Sequence, residues 1–275
     1  MKPFFTIIIP TLNEEEYIGT LLSDIKKQTY TGFEVVAVDG NSEDNTKKIV
    51  KEYKTSFPLR ILTVKKRNVS FQRNRGADLS EGTYLVFLDA DVRIRRNFLQ
   101  KLYMHIQKQK GLLFVPEIYP NMRDPQTQII FDGVNTAIRI SQTLGKPFSS
   151  GGSMIVERNF FDRIGQFSEK AFMSEDHQLV QEAYKYGVHA KFSPDIKVSF
   201  SLRRFKKEGK FKVLYKYVVN TIHFLSEGKV DKKIFEYEMG GHIYKRGKKK
   251  TLSLEDIIKL PLKQLRSVLY GIFSE

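Results

Sequence analysis

Two aspartates separated by one small residue, Asp89-Ala90-Asp91, follow an apolar run that ends at Leu88. A strand directs alternate side chains to opposite faces, but at a strand end the chain can turn, so both carboxylates can address one divalent cation. Mg²⁺ prefers carboxylate and phosphate oxygens, and a cation held there could stabilise a nucleotide diphosphate as a leaving group. The alternative is a pair of solvated loop acids, and the position directly after a hydrophobic run favours the metal site.

Three further clusters could contribute to the same chemistry. Asp39 ends the second apolar run, where it could bind a nucleoside base or ribose or simply stabilise a turn. Glu175 and Asp176 precede an amphipathic segment, where a carboxylate could deprotonate an acceptor hydroxyl, although acids at a helix start more often cap it. Arg73 lies in the motif Arg-Asn-Arg-Gly, which in isolation favours a solvated helix face over a phosphate contact. His177 is predicted to be structural, but its neighbours could bring it into the site.

These residues follow apolar runs that alternate with helix-period segments. Strands are predicted over 5–10, 33–38, 59–64 and 84–88. Pro10 is expected to end the first strand, and Asn13 to cap the next helix with Glu14 in its first turn. Such strands indicate a parallel sheet with helices on both faces. Ligands gather at the carboxyl ends of parallel strands, so 10–14, 39–41 and 89–91 should meet at one edge.

The second half of the sequence is less regular. Strands or extended segments are predicted at 112–115, 154–156 and 190–200, and helices at 127–144 and 176–186. Apolar residues at helical spacing among lysines predict further helices at 205–224 and 252–273, with a loop at 247–250.

Composition restricts the class of protein. The 275 residues are 41% hydrophobic and 28% charged, which is typical of a packed domain. The absence of cysteine excludes disulfides, zinc ribbons and thiol catalysis. No apolar run approaches the ~20 residues of a membrane-spanning helix, and the N-terminal residues lack a signal-peptide cleavage pattern, so a cytoplasmic location is expected. Glycine-rich nucleotide-binding motifs such as G-x-G-x-x-G and the P-loop are missing, as are H-E-x-x-H and G-x-S-x-G.

The net charge of +15 is concentrated in the last quarter of the chain. Residues 201–275 contain 18 Lys and Arg against 8 Asp and Glu. This segment could attach peripherally to an anionic membrane surface, or it could be a helical appendix with solvated lysines. A nucleic-acid-binding protein without catalytic activity is the alternative function. It would leave the ordered acidic motifs unexplained, so no nucleic-acid partner is expected.

Six motifs together resemble the family 2 glycosyltransferases. They are Ile-Ile-Ile-Pro-Thr-Leu-Asn-Glu-Glu (7–15), Val-Asp-Gly-Asn-Ser-Glu-Asp-Asn-Thr (38–46), Arg-Asn-Arg-Gly-Ala (73–77), Phe-Leu-Asp-Ala-Asp (87–91), Ser-Gly-Gly-Ser-Met (150–154) and Ser-Glu-Asp (174–176). The resemblance covers about residues 4–200. It implies an inverting enzyme with the GT-A fold, an α/β, Rossmann-like arrangement whose mostly parallel central sheet is flanked by helices.

The resemblance also implies which residues bind the donor nucleotide, an NDP-sugar linked to UDP or GDP. Pro10, Thr11 and Glu14 would line the nucleoside pocket. Asp39 would bind the base or ribose, and Arg73 would lie near the base or the diphosphate.

The same resemblance assigns the reacting end of the site. Asp89 and Asp91 would form the D-x-D motif that holds Mg²⁺ or Mn²⁺. Residues 150–152, including Gly152, would line the donor sugar. Asp176 would be the catalytic base, and Glu175 would support it or bind the acceptor, which is a saccharide or a lipid-linked hydroxyl.

The domain organisation follows from these assignments. Residues 1–200 are expected to form the catalytic domain, with a nucleotide-binding half (1–110) and an acceptor-binding half (111–200), and 201–275 a basic helical extension. The chain lacks tryptophan and the Q-x-x-R-W motif of processive synthases, so a non-processive enzyme is expected. The segment 201–205, which contains Arg203 and Arg204, lies where an arginine could approach the diphosphate.

Overall fold

The computed structural model describes residues 2–121, 124–143, 145, 147–171 and 174–203. Within these ranges the strands are β1 (Phe5–Thr11), β2 (Phe33–Asp39), β3 (Leu59–Thr63), β4 (Tyr84–Leu88), β5 (Arg93–Ile94), β6 (Leu113–Pro120), β7 (Ser153–Glu157) and β8 (Lys191–Phe200). The helices are α1 (Ile18–Lys26), α2 (Thr46–Glu52), α3 (Val69–Asp78), α4 (Phe98–Gln109), α5 (Pro125–Ser141), α6 (Arg158–Arg163) and α7 (Glu175–Lys185). The helices predicted over 205–224 and 252–273 and the loop at 247–250 lie outside the described residues.

The strands form one sheet in the order β3-β2-β1-β4-β7-β6-β8-β5. Strands β1, β2, β3 and β4 are mutually parallel, as the alternating pattern of the first hundred residues predicts. Strand β7 runs antiparallel to both β4 and β6, while β6 and β8 are parallel to each other. The sheet is therefore mixed and not wholly parallel. The short apolar run at 154–156 gave no indication of the direction of its strand.

Both faces of the sheet are buried under helices. In β1, Ile7 and Ile9 pack with α1 and α4, whereas Ile8 lies in a second cluster with residues of α3, α6 and α7. This alternation is the period of two expected for a strand, and all seven residues of β1 are buried. None of the described helices has the length and apolar character needed to span a bilayer.

Two local predictions at the end of β1 were wrong. The strand continues through Pro10 to Thr11, because β1 pairs with β4 only as far as Ile8 and the missing N–H of Pro10 costs that ladder nothing. Asn13 does not cap α1, which begins at Ile18. Asn13 instead has a positive φ of 54°, and its side-chain oxygen accepts a hydrogen bond from the Glu43 N–H at 2.9 Å.

Candidate active site

The carboxyl ends of β1, β2 and β4 lie at one edge of the sheet and carry the predicted polar residues. Thr11 and Asp39 are paired in register, and the Gly40 N–H donates to the carbonyl of Thr11 at 2.8 Å. The Asp89 N–H donates to the carbonyl of Gly152 at 2.9 Å. The first half of the chain and the loop before β7 therefore meet at this edge.

Helix α3 lies against this edge with buried polar side chains. Asn68 caps it by accepting from the Phe71 N–H at 2.8 Å. Gln72 donates to the carbonyls of Thr11 and Val38, both at 2.8 Å, and so ties the ends of β1 and β2 together. The motif at 73–76, taken in isolation, favoured a solvated helix face, but Arg73 is buried, with 3% of its surface exposed. Its placement near the base or the diphosphate stays a prediction.

Arg73 connects two carboxylates from distant parts of the sequence. Its Nη2 donates to Asp89 Oδ1 at 2.8 Å, and its Nη1 donates to Glu175 Oε1 at 2.7 Å. Burial alone would lower the pKa of Arg73, but Asp89 and Glu175 outweigh it and hold that pKa above its ordinary value. Burial and the neighbouring Asp176 raise the pKa of Glu175, while Arg73 opposes them. Paired in this way, the buried guanidinium fixes the end of β4 to the start of α7.

A second arginine makes the corresponding bridge on the other side of the D-x-D turn. Arg203 donates through Nη1 to Glu14 Oε2 at 2.6 Å and through Nη2 to Glu14 Oε1 at 2.9 Å. Its Nε lies 2.9 Å from Asp91 Oδ2, and its guanidinium lies over the ring of Tyr17. Burial raises the pKa of Glu14 to about 7, against the opposing effect of Arg203.

The loop before β7 requires two glycines. Gly151 and Gly152 have φ values of +70° and +67°, which favour glycine. A Cβ at 152 would lie 2.8 Å from Asp89 Oδ2, and a Cβ at 151 would lie 3.6 Å from Asp176 Oδ2. The loop therefore passes directly beside both aspartates, as expected for a segment that lines a ligand.

Asp176 is a buried carboxylate at the start of α7, and Ser149 and His177 contact its side chain. Ser149 Oγ donates to its Oδ2 at 2.5 Å, and His177 Nδ1 lies 3.0 Å from the same oxygen. Burial would raise the pKa of Asp176, but His177, Ser149 and Arg73 together hold it well below its usual range. The side chain is thus ionised at neutral pH, the state that a general base requires.

Asp39 serves the turn that follows β2. It accepts from the Ser42 N–H at 2.9 Å and from Ser42 Oγ at 2.6 Å, and Lys47 Nζ lies 3.9 Å away. Thr11 Oγ1 lies 3.4 Å from its Oδ2. The turn-stabilising role is visible in these contacts, and binding of a base or ribose stays a prediction.

The D-x-D turn offers two oxygen-donor side chains for a cation. The Val92 N–H donates to the carbonyl of Asp89 at 3.3 Å, which closes the turn, and Val92 is buried in the core. Within the part of the chain that the structure describes, no three His, Asp or Glu side chains are grouped to hold a metal ion. A cation bound by Asp89 and Asp91 would therefore need further ligands, such as the oxygens of a bound diphosphate or water.

Sequence reasoning missed two residues of this site. Gln72 was missed because a glutamine in a polar helical segment gives the same sequence pattern whether its amide is buried or exposed to solvent. Ser149 was not among the predicted site residues, although it contacts Asp176. A signal for Ser149 existed in its position directly before the motif Ser-Gly-Gly.

The sequence is similar to those of known glycosyltransferases. The chain is 28% identical to the glycosyltransferase GlyA of Streptococcus pneumoniae over 202 residues, which are 66% of this chain and 29% of GlyA. It is 37% identical to the glycosyltransferase AglE of Haloferax volcanii over 103 residues, 36% of this chain and 34% of AglE. The chain thus matches only about a third of the length of these curated relatives.

Solved structures share the fold. The mannosyltransferase PcManGT from Pyrobaculum calidifontis, in complex with GDP-Man and Mn²⁺, superposes with a TM-score of 0.67 at 21% identity, covering 83% of this chain and 64% of that one. S. aureus TarS 1–349 in complex with UDP-GlcNAc gives a TM-score of 0.60 at 23% identity, covering 81% and 67%. The predicted GT-A-like α/β fold is confirmed.

The family model for glycosyl transferase family 2 matches residues 6–165, more than half of the sequence. The chain belongs to that family.

Proposed function

We propose that this protein transfers a sugar from a UDP- or GDP-linked donor to a hydroxyl acceptor, with inversion at the anomeric carbon and without processive elongation. The observation that carries the proposal is the buried Asp176 carboxylate, held beside the glycine loop that also lines Asp89. The donors bound by PcManGT and TarS support a nucleotide sugar as the substrate class.

Asp176 acts as the general base in this proposal. It takes the proton of the acceptor hydroxyl as that oxygen attacks the anomeric carbon, a contribution typically worth about 10²–10⁴-fold in rate. Glu175 and Arg73 hold the start of α7 against Asp89, which keeps base and donor site in register. Inversion requires that the base and the leaving diphosphate bind on opposite faces of the sugar.

Asp89 and Asp91 would hold Mg²⁺ or Mn²⁺, which supplies positive charge to the leaving diphosphate. The Mn²⁺ present in PcManGT supports this cofactor class. Arg203, beside Asp91, would add a second positive charge near the diphosphate. Pro10, Thr11, Glu14 and Asp39 would bind the nucleoside.

The wider assignments are also proposals. Residues 1–110 would bind the nucleotide and 111–200 the acceptor, a saccharide or a lipid-linked hydroxyl. The protein would be cytoplasmic, with residues 201–275 attaching it to an anionic membrane surface. Binding of nucleic acid is disfavoured because the site edge is lined with carboxylates.

A thermal-shift screen of UDP-, GDP-, CDP- and dTDP-sugars, with and without Mn²⁺, tests the proposal. A ligand that binds only the folded state raises the apparent melting temperature, so the true donor should stand out, and more so with Mn²⁺. A screen in which no nucleotide sugar shifts the transition would contradict the proposed function.

A further inference from the structure

Among the described residues, two side chains hydrogen-bond the Asp176 carboxylate, and both contact the same oxygen. Ser149 Oγ lies 2.5 Å and His177 Nδ1 lies 3.0 Å from Oδ2. The α-carbon of Gly151 also faces this oxygen, since a Cβ there would lie 3.6 Å from it. Oδ2 is therefore enclosed by protein groups, whereas Oδ1 receives neither of these two bonds.

The tautomer of His177 follows from the same geometry. Its Nδ1 lies 3.0 Å from Asp176 Oδ2 but 3.4 Å from the Ser149 N–H. An ionised carboxylate can only accept, so the shorter contact requires the proton on Nδ1, and Nδ1 then cannot accept from Ser149. His177 is accordingly a donor to Asp176, and the ring of Phe148 packs beside its imidazole with the ring centres 5.6 Å apart.

We propose that Ser149 and His177 are positioning residues, which fix the Asp176 carboxylate through Oδ2 so that Oδ1 receives the proton of the acceptor hydroxyl. The inference rests on the proposed function, in which Asp176 is the base. As the acceptor oxygen bonds to the anomeric carbon, its proton passes to Oδ1. The bond from that carbon to the diphosphate breaks, and its electron pair leaves with the diphosphate.

Two donors on one oxygen stabilise the anionic carboxylate, so removing either should raise the pKa of Asp176. Among the described residues, the titratable and charged groups around it are Arg73 of α3 and Glu175 and His177 of α7. Arg73 stays in place in variants of Ser149 or His177, because its own partners are Asp89 and Glu175. A change in the pKa of Asp176 in these variants therefore measures the loss of the hydrogen bond from Ser149 or His177.

The experiment is a ¹³C NMR titration of the full chain carrying labelled aspartate carboxyls. The Asp176 signal is identified by its loss in Asp176→Asn. Ser149→Ala and His177→Leu should each raise the titration midpoint by about one pH unit or more. His177→Asn, whose amide nitrogen can take the place of Nδ1, should restore most of the wild-type midpoint.

Ser193→Ala is the matched control. Ser193 is a buried serine of β8 whose Oγ lies 3.5 Å from His105 Nδ1, so it repeats the serine–histidine pairing away from Asp176. This variant should leave the Asp176 midpoint unchanged.

The outcomes separate the positioning role from the base role. An unmoved midpoint in a folded Ser149→Ala or His177→Leu variant overturns the role of that residue, and if Ser149→Ala does not fold, the two His177 variants decide. Unmoved midpoints combined with an inactive Asp176→Asn would end the positioning proposal and leave the base assignment intact. Full turnover by Asp176→Asn would end both.

Discussion

Two arginines each bridge a pair of carboxylates at the site edge. Arg73 joins Asp89 to Glu175, and Arg203 joins Glu14 to Asp91. Removing one partner of a buried ion pair leaves a charge without its counterion, at a cost of about 3–5 kcal/mol. Substitutions here must keep the shape of the side chain, so amide variants are preferable to alanine.

The base is tested by Asp176→Asn. We expect kcat to fall roughly 10²–10⁴-fold, because the amide cannot accept the proton, while donor affinity stays nearly unchanged. Turnover assays and calorimetry with the donor found in the screen measure both quantities. Asp78→Asn, at an exposed aspartate paired with Arg75, is the control and should behave as wild type. Wild-type turnover by Asp176→Asn would refute the assignment.

The metal ligand is tested by Asp91→Asn. The amide can still accept from Arg203 Nε but lacks the charge that a hard cation requires, so the Mn²⁺-dependent part of nucleotide affinity should fall roughly tenfold or more. Calorimetry of UDP and GDP with and without Mn²⁺ gives the difference. Equal Mn²⁺ enhancement in variant and wild type would exclude Asp91 as a ligand.

Glu14 makes a prediction about stability and pH. Its folded-state pKa of about 7 lies above its unfolded value of 4.5, so its contribution to stability is fully present below pH 4.5 and is lost as pH rises through 7. Relative to Glu14→Gln, the wild type should lose on the order of 3 kcal/mol across this window. Urea unfolding at pH 4.5, 6 and 8 measures it, and a constant difference between the two proteins would contradict the raised pKa.

At the scale of elements, α3 can approach the sheet only because of one glycine. A Cβ at Gly76 would lie 2.4 Å from Ile8 Cγ2, well inside van der Waals contact. Asn74 holds the same helix from its other side, bonding the N–H and carbonyl of Phe167 at 3.0 and 2.9 Å. The helix is therefore fixed between the sheet and the turn after α6, with Gln72 and Arg73 at the site.

Gly76→Ala should destabilise the fold by about 1–3 kcal/mol, because the added methyl group overpacks β1 against α3. Gly133→Ala is the matched control. Gly133 is also helical, but a Cβ there meets nothing within 4 Å, so this change should be neutral or stabilise by up to about 1 kcal/mol. Chemical denaturation measures the free energy of unfolding of both variants. Equal values for Gly76→Ala and Gly133→Ala would contradict the prediction and show that α3 can shift without loss of stability.

The elements themselves were largely predictable, since β1, β2 and β4 are runs of buried Ile, Val, Leu and Phe ending in polar residues. The burial of the polar side chains of α3 was not predictable, because Arg73 pairs with Glu175, which lies 102 positions away in the sequence. Hydrophobic periodicity indicates which apolar residues face the core. A buried polar face depends on hydrogen-bond and ion-pair partners that are distant in the sequence, so it is seen only in the folded structure. The assembly of the ion pairs therefore required the structure.

On the scale of the whole molecule, the order of strands was only partly visible in the sequence. The parallel β3-β2-β1-β4 half follows from alternating strands and helices, because parallel neighbours need a crossover connection. Strand β7 joins β4 in the opposite direction, and this inserts the Gly151–Gly152 loop at the site edge. Loop placement of that kind depends on strand direction and not on composition.

The charge of the whole molecule leads to a binding prediction. With a net charge of +15, the full chain should co-sediment with vesicles of phosphatidylglycerol and phosphatidylcholine at 50 mM salt, and much less at 500 mM, because surface electrostatics are screened. Pure phosphatidylcholine vesicles are the control. Absence of binding to anionic vesicles at low salt would reject membrane attachment.

Arg203 contacts the site edge and belongs to the lysine-rich last quarter of the sequence, residues 201–275. The guanidinium that binds Asp91 and Glu14 is therefore part of the segment proposed to attach to a membrane surface. An event that draws Arg203 away would uncover both acids at once, and an incoming diphosphate would compete for the same cation. By thermodynamic reciprocity, docking of the tail and loading of the donor would then each alter the other's affinity by the same factor.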